Sequence, residues 1–85
     1  MPIGRTDLRL VLAIGRAGTL LGGARGLGID HSTAFRRLNA LENELGVRLF
    51  ERPRDGYAPT AAGEEMIAAA ARVDEELIGL ERKLA

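Results

Sequence analysis

The sequence contains no cysteine and only one histidine among its 85 residues. The lack of cysteine excludes disulfide bonds and thiolate metal sites, and one histidine cannot build a histidine-rich metal site. No apolar run approaches the roughly 18 residues that a membrane-spanning helix requires, and the N-terminus lacks the pattern of a leader peptide. With the lack of cysteine that is typical of reducing compartments, these absences predict one small cytoplasmic domain that uses no cofactor or metal and does not contact a membrane.

The charge shows no overall excess of either sign, since twelve basic and twelve acidic residues balance. A zero net charge argues against a nucleic-acid partner, because neutralising phosphates requires surplus Lys and Arg. The distribution is uneven, however: residues 1–59 carry nine arginines and six acids, whereas residues 60–85 carry three bases and six acids. Eleven of the twelve bases are arginine, which suits phosphates and guanine edges, although genome composition is an alternative cause. The first part is therefore the candidate for binding an anionic partner.

The stretch Asp30–Leu45 has the strongest helical pattern. Asp30 is a residue type whose carboxylate can cap a helix, and Gly46 suits a left-handed turn at its end. One apolar stripe consists of Ala34, Leu38, Leu41 and Leu45. The other face carries Glu42 and Glu44 in its C-terminal half, and its N-terminal half carries His31, Ser32, Thr33, Phe35, Arg36, Arg37 and Asn39. Such a helix can present its first turns to an anionic partner with readable edges.

Two helices are predicted before this one. The first follows a short N-terminal segment, is capped by Thr6 or Asp7, ends at Gly18, and is apolar on most sides, which indicates core. The second is short, Leu20–Leu27, with Thr19 as its cap. Composition alone favours a loop there, because a glycine inside a helix costs about 1 kcal/mol against alanine and the segment holds Gly22, Gly23 and Gly26.

A tight connection containing Gly28 joins the second predicted helix to the Asp30–Leu45 helix. Two helices linked by a short glycine-containing turn, with polar groups at the start of the second, are typical of a helix-turn-helix. The same helix pair also occurs in proteins of many other functions.

After Gly46 the pattern changes to two short extended pieces around an Arg-Asp-Gly turn at residues 54–56. This predicts a small β-hairpin with Arg52 and Arg54 at its tip. A basic hairpin beside a helix-turn-helix indicates the wing of a winged helix, and phosphate contacts for both arginines. The alternative is a solvated loop with ordinary surface charges.

A long helix capped by Thr60 is predicted to run to about Leu84. Spacings of four and three residues join Met66, Ala70, Val73, Leu77, Leu80 and Leu84, which is a heptad seam. We expect this seam to bind a second copy of the chain; packing against its own domain is the alternative. Ile67, Ala71 and Ile78 lie beside the seam and are candidates for packing on the first helix.

The segment GTLLGGARGLGIDHSTAFRRLNALENELGVRLFERPRDGYAPTAAGEEM, Gly18–Met66, resembles the N-terminal DNA-binding domain of LysR-type transcriptional regulators. The most specific part is LENELGVRLFER, Leu41–Arg52, followed by PTAAG, Pro59–Gly63. The resemblance implies a mainly α fold: a winged helix-turn-helix of three helices plus a small β-hairpin wing over residues 1–59, then a linker and dimerisation helix over 60–85. It also implies a ligand-sensing domain in a longer protein, through which a small-molecule inducer would act.

The family's recognition-helix pattern, often Ser-Gln-Pro-Ala-Leu-Ser-Arg, aligns with Asp30–Arg36. Arg36 matches the family arginine, so the resemblance implies that it reads a base, with guanine O6 and N7 as suitable acceptors. His31 and Ser32 stand at the glutamine and proline positions and are expected in the groove, while Phe35 replaces serine and can pack on a thymine methyl. Phosphate contacts are expected from Thr19, Thr33, Arg37, Arg52 and Arg54. A surface charge at Arg36 and a capping or merely exposed His31 are the alternatives.

The predicted function is therefore sequence-specific binding of double-stranded DNA by a homodimer at an imperfect inverted repeat, with a tetramer possible in a longer protein. One alternative is another winged-helix regulator, such as a molybdate-responsive repressor. A second is a winged helix that binds only protein. An enzyme is disfavoured, because the sequence has no nucleophile–base arrangement, phosphate-binding glycine loop or metal constellation.

Overall fold

The computed structural model describes residues 3–85, so Met1 and Pro2 of the predicted first domain lie outside the described residues. Residues 3–85 form four helices and a two-stranded antiparallel sheet. In chain order the elements are α1 (Arg5–Ala17), α2 (Leu20–Leu27), α3 (His31–Leu45), β1 (Phe50–Glu51), β2 (Ala58–Pro59) and α4 (Ala61–Leu84). This confirms the predicted winged helix-turn-helix followed by a long helix.

Two threonines cap helices as the sequence predicted. The Thr19 hydroxyl accepts a hydrogen bond from the backbone N–H of Gly22 at 2.9 Å, and the Thr60 hydroxyl accepts one from Gly63 at 3.0 Å. Each bond satisfies a backbone donor in the first turn that has no partner within its own helix. The starts of α2 and α4 are therefore fixed by local sequence.

For the other two helices the structure confirms Asp30 as the N-cap residue of α3 and a capping hydrogen bond to the Asp7 carboxylate in α1, but the details differ from the prediction. Helix α1 begins at Arg5 with Gly4 at its N-cap, and the Asp7 carboxylate reaches back to accept the Gly4 N–H at 2.9 Å. Asp30 has the extended backbone of an N-cap, but its side chain makes no capping hydrogen bond. Its exposed carboxylate is therefore not what starts α3; its backbone carbonyl accepts from Ala34 instead.

The glycines of α2 allow it to lie close against α1. A Cβ on Gly23 would come within 2.7 Å of Ile14 Cγ1 and 2.9 Å of Ile14 Cα, and one on Gly22 within 2.8 Å of Ala17 Cβ. Contacts this short leave no room for a side chain. The helical cost of these glycines is thus offset by close packing of α2 on α1, and a loop is not formed.

The core lies between the first three helices, the start of α4 and β1. Phe50, Leu10, Ile14, Leu38, Leu49 and Val11 are the largest fully buried side chains. A Cβ on Gly63 would overlap the carbonyl oxygen of Leu49, so the first turn of α4 lies directly on the residue that precedes β1, the first strand of the wing. The long helix is therefore held close to the hairpin at its N-terminal end.

Helix α4 changes its environment along its length. Met66 and Ala70 are buried in their own domain at 8% and 3% exposure, so including them in a surface for a second copy is wrong. Asp74 still reaches α1 through an exposed ion pair with Arg16 at 3.7 Å. The remaining seam residues are exposed at 38–78%, namely Val73, Leu77, Leu80 and Leu84.

The residues beside the seam are divided in the same way. Ile67 packs against the core, where a Cβ on Gly15 of α1 would come within 2.6 Å of its Cδ1. Ile78 is exposed at 42% and lines a groove with Leu8 and Leu12 of α1, so it faces the first helix but is only partly covered by it. No helix within residues 3–85 is both long enough and apolar enough to cross a membrane.

Candidate nucleic-acid interface

The first turns of α3 present a continuous polar surface. His31, Ser32, Phe35 and Arg36 are all exposed, whereas Ala34 on the opposite side is completely buried. Ser32 and Arg36 are separated by four residues, so they lie one turn apart on the same face. The structure therefore brings together the four residues that were predicted to read bases.

The flanks of this surface have different neighbours. Phe35 lies on the wing side, where the Arg52 guanidinium carbon is 5.8 Å from its ring centroid. Arg37 lies on the other side, where it lines a surface cavity with Thr6 and Arg9 of α1. Arg36 and Arg37 are adjacent in the sequence but point in directions about 100° apart around α3.

The hairpin wing is short and is fastened to the helix-turn-helix. Phe50 pairs with Pro59, and Glu51 pairs with Ala58. Beyond the strands, the Tyr57 N–H donates a 2.8 Å hydrogen bond to the Gly18 carbonyl in the α1–α2 turn. The wing is therefore positioned beside Thr19 at the start of α2.

Gly56 permits the close approach between the wing and the α1–α2 turn. Its φ is 151°, which favours glycine, and a Cβ there would collide with the Gly18 carbonyl oxygen. Arg54, in the exposed turn just before it, extends from the tip as predicted. Arg54 is thus exposed in a turn whose backbone is held against the α1–α2 turn.

Arg52 is not at the tip of the wing, and that part of the prediction is wrong. It follows β1 directly, its side chain is only 25% exposed, and its guanidinium donates to Asn39 Oδ1 and Glu42 Oε1 at 3.0 Å each. The guanidinium carbon also lies 5.4 Å from the ring centroid of Tyr57. Arg52 is therefore bound within the domain and is not extended towards solvent.

Glu42 links the elements around this surface, and its burial was not predicted from the sequence. It was placed on the solvent face of α3, but its side chain is only 7% exposed. Its Oε2 accepts hydrogen bonds from the backbone N–H groups of Leu49 at 2.8 Å and Phe50 at 3.3 Å, and its Oε1 lies 4.0 Å from Arg48. Its position next to Leu41 of the apolar stripe was the available signal. The carboxylate therefore joins α3 to the start of β1, the first strand of the wing.

The carboxylates and the one histidine are the side chains that a metal site would need. Residues 3–85 contain no group of three His, Asp or Glu side chains placed to hold a metal ion.

Residues 6–64 match the family model described as "Bacterial regulatory helix-turn-helix protein, lysR family". The chain belongs to the LysR family. The match covers α1, α2, α3, the wing and the start of α4, so it includes every residue of the polar surface just described. It confirms the family resemblance of Gly18–Met66.

Curated relatives of this LysR-family chain are transcriptional regulators. It is similar to the HTH-type transcriptional regulator CbbR of Xanthobacter flavus, with 35% identity over 79 residues. The alignment covers 93% of this chain but 24% of that protein. The chain thus spans about a quarter of the length of the curated relatives it matches.

Solved LysR-family structures share the fold along nearly the whole chain. The CbnR DNA-binding domain, solved as a complex with DNA, has a TM-score of 0.79 and 32% identity, and the match covers 95% of this chain and 92% of that one. Full-length LysG from Corynebacterium glutamicum, solved with the effector Arg, has a TM-score of 0.87 and 27% identity, covering 96% and 28%. The long helix is therefore part of the shared fold.

Proposed function

We propose that this LysR-family domain binds double-stranded DNA in a sequence-dependent manner. In this proposal the first turns of α3 enter the major groove, and the wing contacts the neighbouring backbone or minor groove. The single observation that supports it most is the exposed polar surface of α3, which is held by an opposite face buried in the core. The likeness to CbnR, whose DNA-binding domain was solved with DNA, supports the same mode.

The proposed base contacts come from His31, Ser32, Phe35 and Arg36, with Arg36 bidentate to guanine. Phosphate contacts are proposed for Thr19, Thr33, Arg37 and Arg54, which flank that surface on α2, α3 and the wing tip. The excess of arginine over acid in residues 1–59 supports an anionic partner for this part of the chain. Contacts to phosphates would position the domain, and contacts to bases would specify the site.

Two copies are proposed to bind one imperfect inverted repeat. Support comes from Val73, Leu77, Leu80 and Leu84, which repeat at heptad spacing and are exposed beyond the part of α4 that the domain covers. Val73 and Leu77 also line a groove between α1 and α4, together with Leu8 and Leu12.

The wider role is proposed from the regulators that the chain resembles. The domain would regulate transcription in the bacterial cytoplasm without enzymatic activity, as part of a longer protein that can form tetramers. A small-molecule inducer would act through a ligand-sensing domain outside these 85 residues.

The test is a selection of binding sites from random duplex DNA at low salt, with the mass of the bound complex measured in parallel. We expect enrichment of an inverted repeat carried by two copies. The Arg36→Ala variant serves as a control, and it should lose preference at one base pair of each half-site. No enrichment and no salt-sensitive binding would refute the proposal and favour a winged helix that binds protein.

A further inference from the structure

The Arg52 guanidinium is held by four side chains from two parts of the fold. Asn39 and Glu42 of α3 accept its hydrogen bonds, and the rings of Phe35 in α3 and Tyr57 in the wing lie within cation–π distance at 5.8 and 5.4 Å. Its Nε is buried and has no hydrogen-bond partner among the described residues. Arg52 therefore occupies a closed site between the reading helix and the wing.

Glu42 makes it costly for Arg52 to leave this site. The carboxylate is almost completely buried and has its second oxygen committed to two backbone N–H groups. If Arg52 moved out to a phosphate, Glu42 would keep its buried charge but lose its closest cationic partner. The pair is thus internally neutralised and offers little net charge to DNA.

Arg52 also contacts the exposed side chain of Phe35, 5.8 Å from its ring centroid. Phe35 is 45% exposed at the start of α3, where a long side chain has two accessible χ1 orientations. The contact with Arg52 favours the orientation that leans towards the wing. The same guanidinium contacts Tyr57, whose N–H fastens the wing to the α1–α2 turn.

We propose that Arg52 is a positioning residue: its contacts with Glu42, Asn39, Phe35 and Tyr57 fix the Phe35 ring and the wing relative to α3. Arg52 thereby sets the preference for the base pairs next to Phe35 and does not neutralise a phosphate. This inference rests on the proposed binding of DNA.

The first experiment compares Arg52→Met with Arg54→Met on the DNA site selected by the wild-type chain. Loss of one phosphate contact should make the slope of log affinity against log salt shallower by about 0.9, which is the result expected for Arg54→Met. For Arg52→Met we expect affinity for the selected site to fall about tenfold, with a smaller change in slope than for Arg54→Met, because Glu42 loses its partner but no phosphate contact is lost. A slope that changes as it does for Arg54→Met would overturn the inference.

The second experiment uses lysine, which keeps the charge but lacks the planar fork of donors. Arg54→Lys should bind DNA like the wild type, because a phosphate accepts either cation. Arg52→Met is expected to relax the preference at the base pairs next to Phe35. Arg52→Lys should show the same relaxed preference, because lysine cannot make the contacts of the guanidinium. Full rescue of that preference by lysine would overturn the positioning role.

The decisive readout is the coupling between Arg52 and Phe35. The Phe35→Ala and Arg52→Met variants should relax preference at the same base pairs, and the double variant should lose little more than either one. Multiplicative losses at different base pairs would contradict the inference. Thermal unfolding establishes that each variant is folded. If Arg52→Met is not folded, the coupling is measured between Asn39→Ala and Phe35→Ala, with the same two outcomes.

These outcomes are distinct from failure of the proposed function. If the wild-type chain selects no DNA sequence, the proposed function fails before any variant is compared. If the wild-type chain selects a site and the Arg52 variants behave like the Arg54 variants, only the positioning role fails.

Discussion

Arg36 and Arg54 are both exposed arginines, yet they stand on different parts of the surface. Arg36 lies at the centre of the polar face of α3, and Arg54 lies at the tip of the wing. We expect Arg36→Ala to cost about 1–3 kcal/mol of binding to the selected site and to relax preference at one base pair. Arg54→Ala should weaken binding to all sequences alike. Affinities for the selected and a scrambled duplex distinguish the two, and equal losses on both duplexes from both variants would contradict this division.

Spacing in the sequence was enough to predict the exposed residues of α3, since the side opposite a four-residue apolar stripe must face solvent. It was not enough for Glu42 and Arg52. The burial of Glu42 depends on the N–H groups of Leu49 and Phe50, which the turn after α3 brings beneath the helix. Helical periodicity carries no information about such backbone partners. Glu42, at the edge of the apolar stripe, was therefore predicted to face solvent, and Arg52 was predicted to lie at the wing tip.

Helix α2 is the element whose composition and structure disagree most. Three of its eight residues are glycine, and only the surrounding helix-turn-helix pattern predicted a helix there. The structure shows why two of them are present: Gly22 and Gly23 allow α2 to lie against Ala17 and Ile14 of α1. Helix propensities describe single residues and contain no information about contacts between helices. The packing that stabilises α2 could therefore not be predicted from its composition.

The glycines of α2 provide a matched pair for a stability test. Gly23→Ala should destabilise the domain by about 1–3 kcal/mol, because the new methyl group would meet Ile14. Gly26 has open space at its Cβ position and lies in the same helix, so Gly26→Ala should stabilise the domain by about 0.5–1 kcal/mol. Urea unfolding of the two variants measures both effects. Equal changes would show that close packing of α2 on α1 does not determine its stability.

Helix α4 offers a second matched pair. Leu77 is exposed on the apolar side, and Glu75 lies about 200° away around the helix. Leu77→Lys and Glu75→Gln each raise the net charge by one, but only the first should abolish the two-copy complex, because it places a charge in the proposed seam. Sedimentation of each variant with the selected DNA measures the number of copies. Loss of the two-copy complex in both variants would attribute the effect to charge alone.

For the whole molecule, the number of copies on DNA sets the response to salt. The slope of log affinity against log salt is proportional to the number of phosphates neutralised, at about 0.9 per contact. The wild-type slope should therefore be twice that of Leu77→Lys, which binds as one copy. Titrations from low to moderate salt measure both slopes, and equal slopes would mean that only one copy of the wild-type chain contacts the DNA.

The anchoring of α4 through Gly63 has a further consequence for the geometry of such an assembly. The first turn of α4 packs against Leu49, the residue before β1, and its last turns extend beyond the domain. A rotation of α4 at the seam would therefore move the domain that carries the polar surface of α3. A helix of this length spans about 36 Å. A swing of about 7° at the middle of the seam, about 26 Å along the helix from its first turn, would move that first turn by about 3 Å, close to the roughly 3.4 Å rise of one base pair. A small change in the angle between two copies would thus change the half-site spacing that the pair can bind by about one base pair.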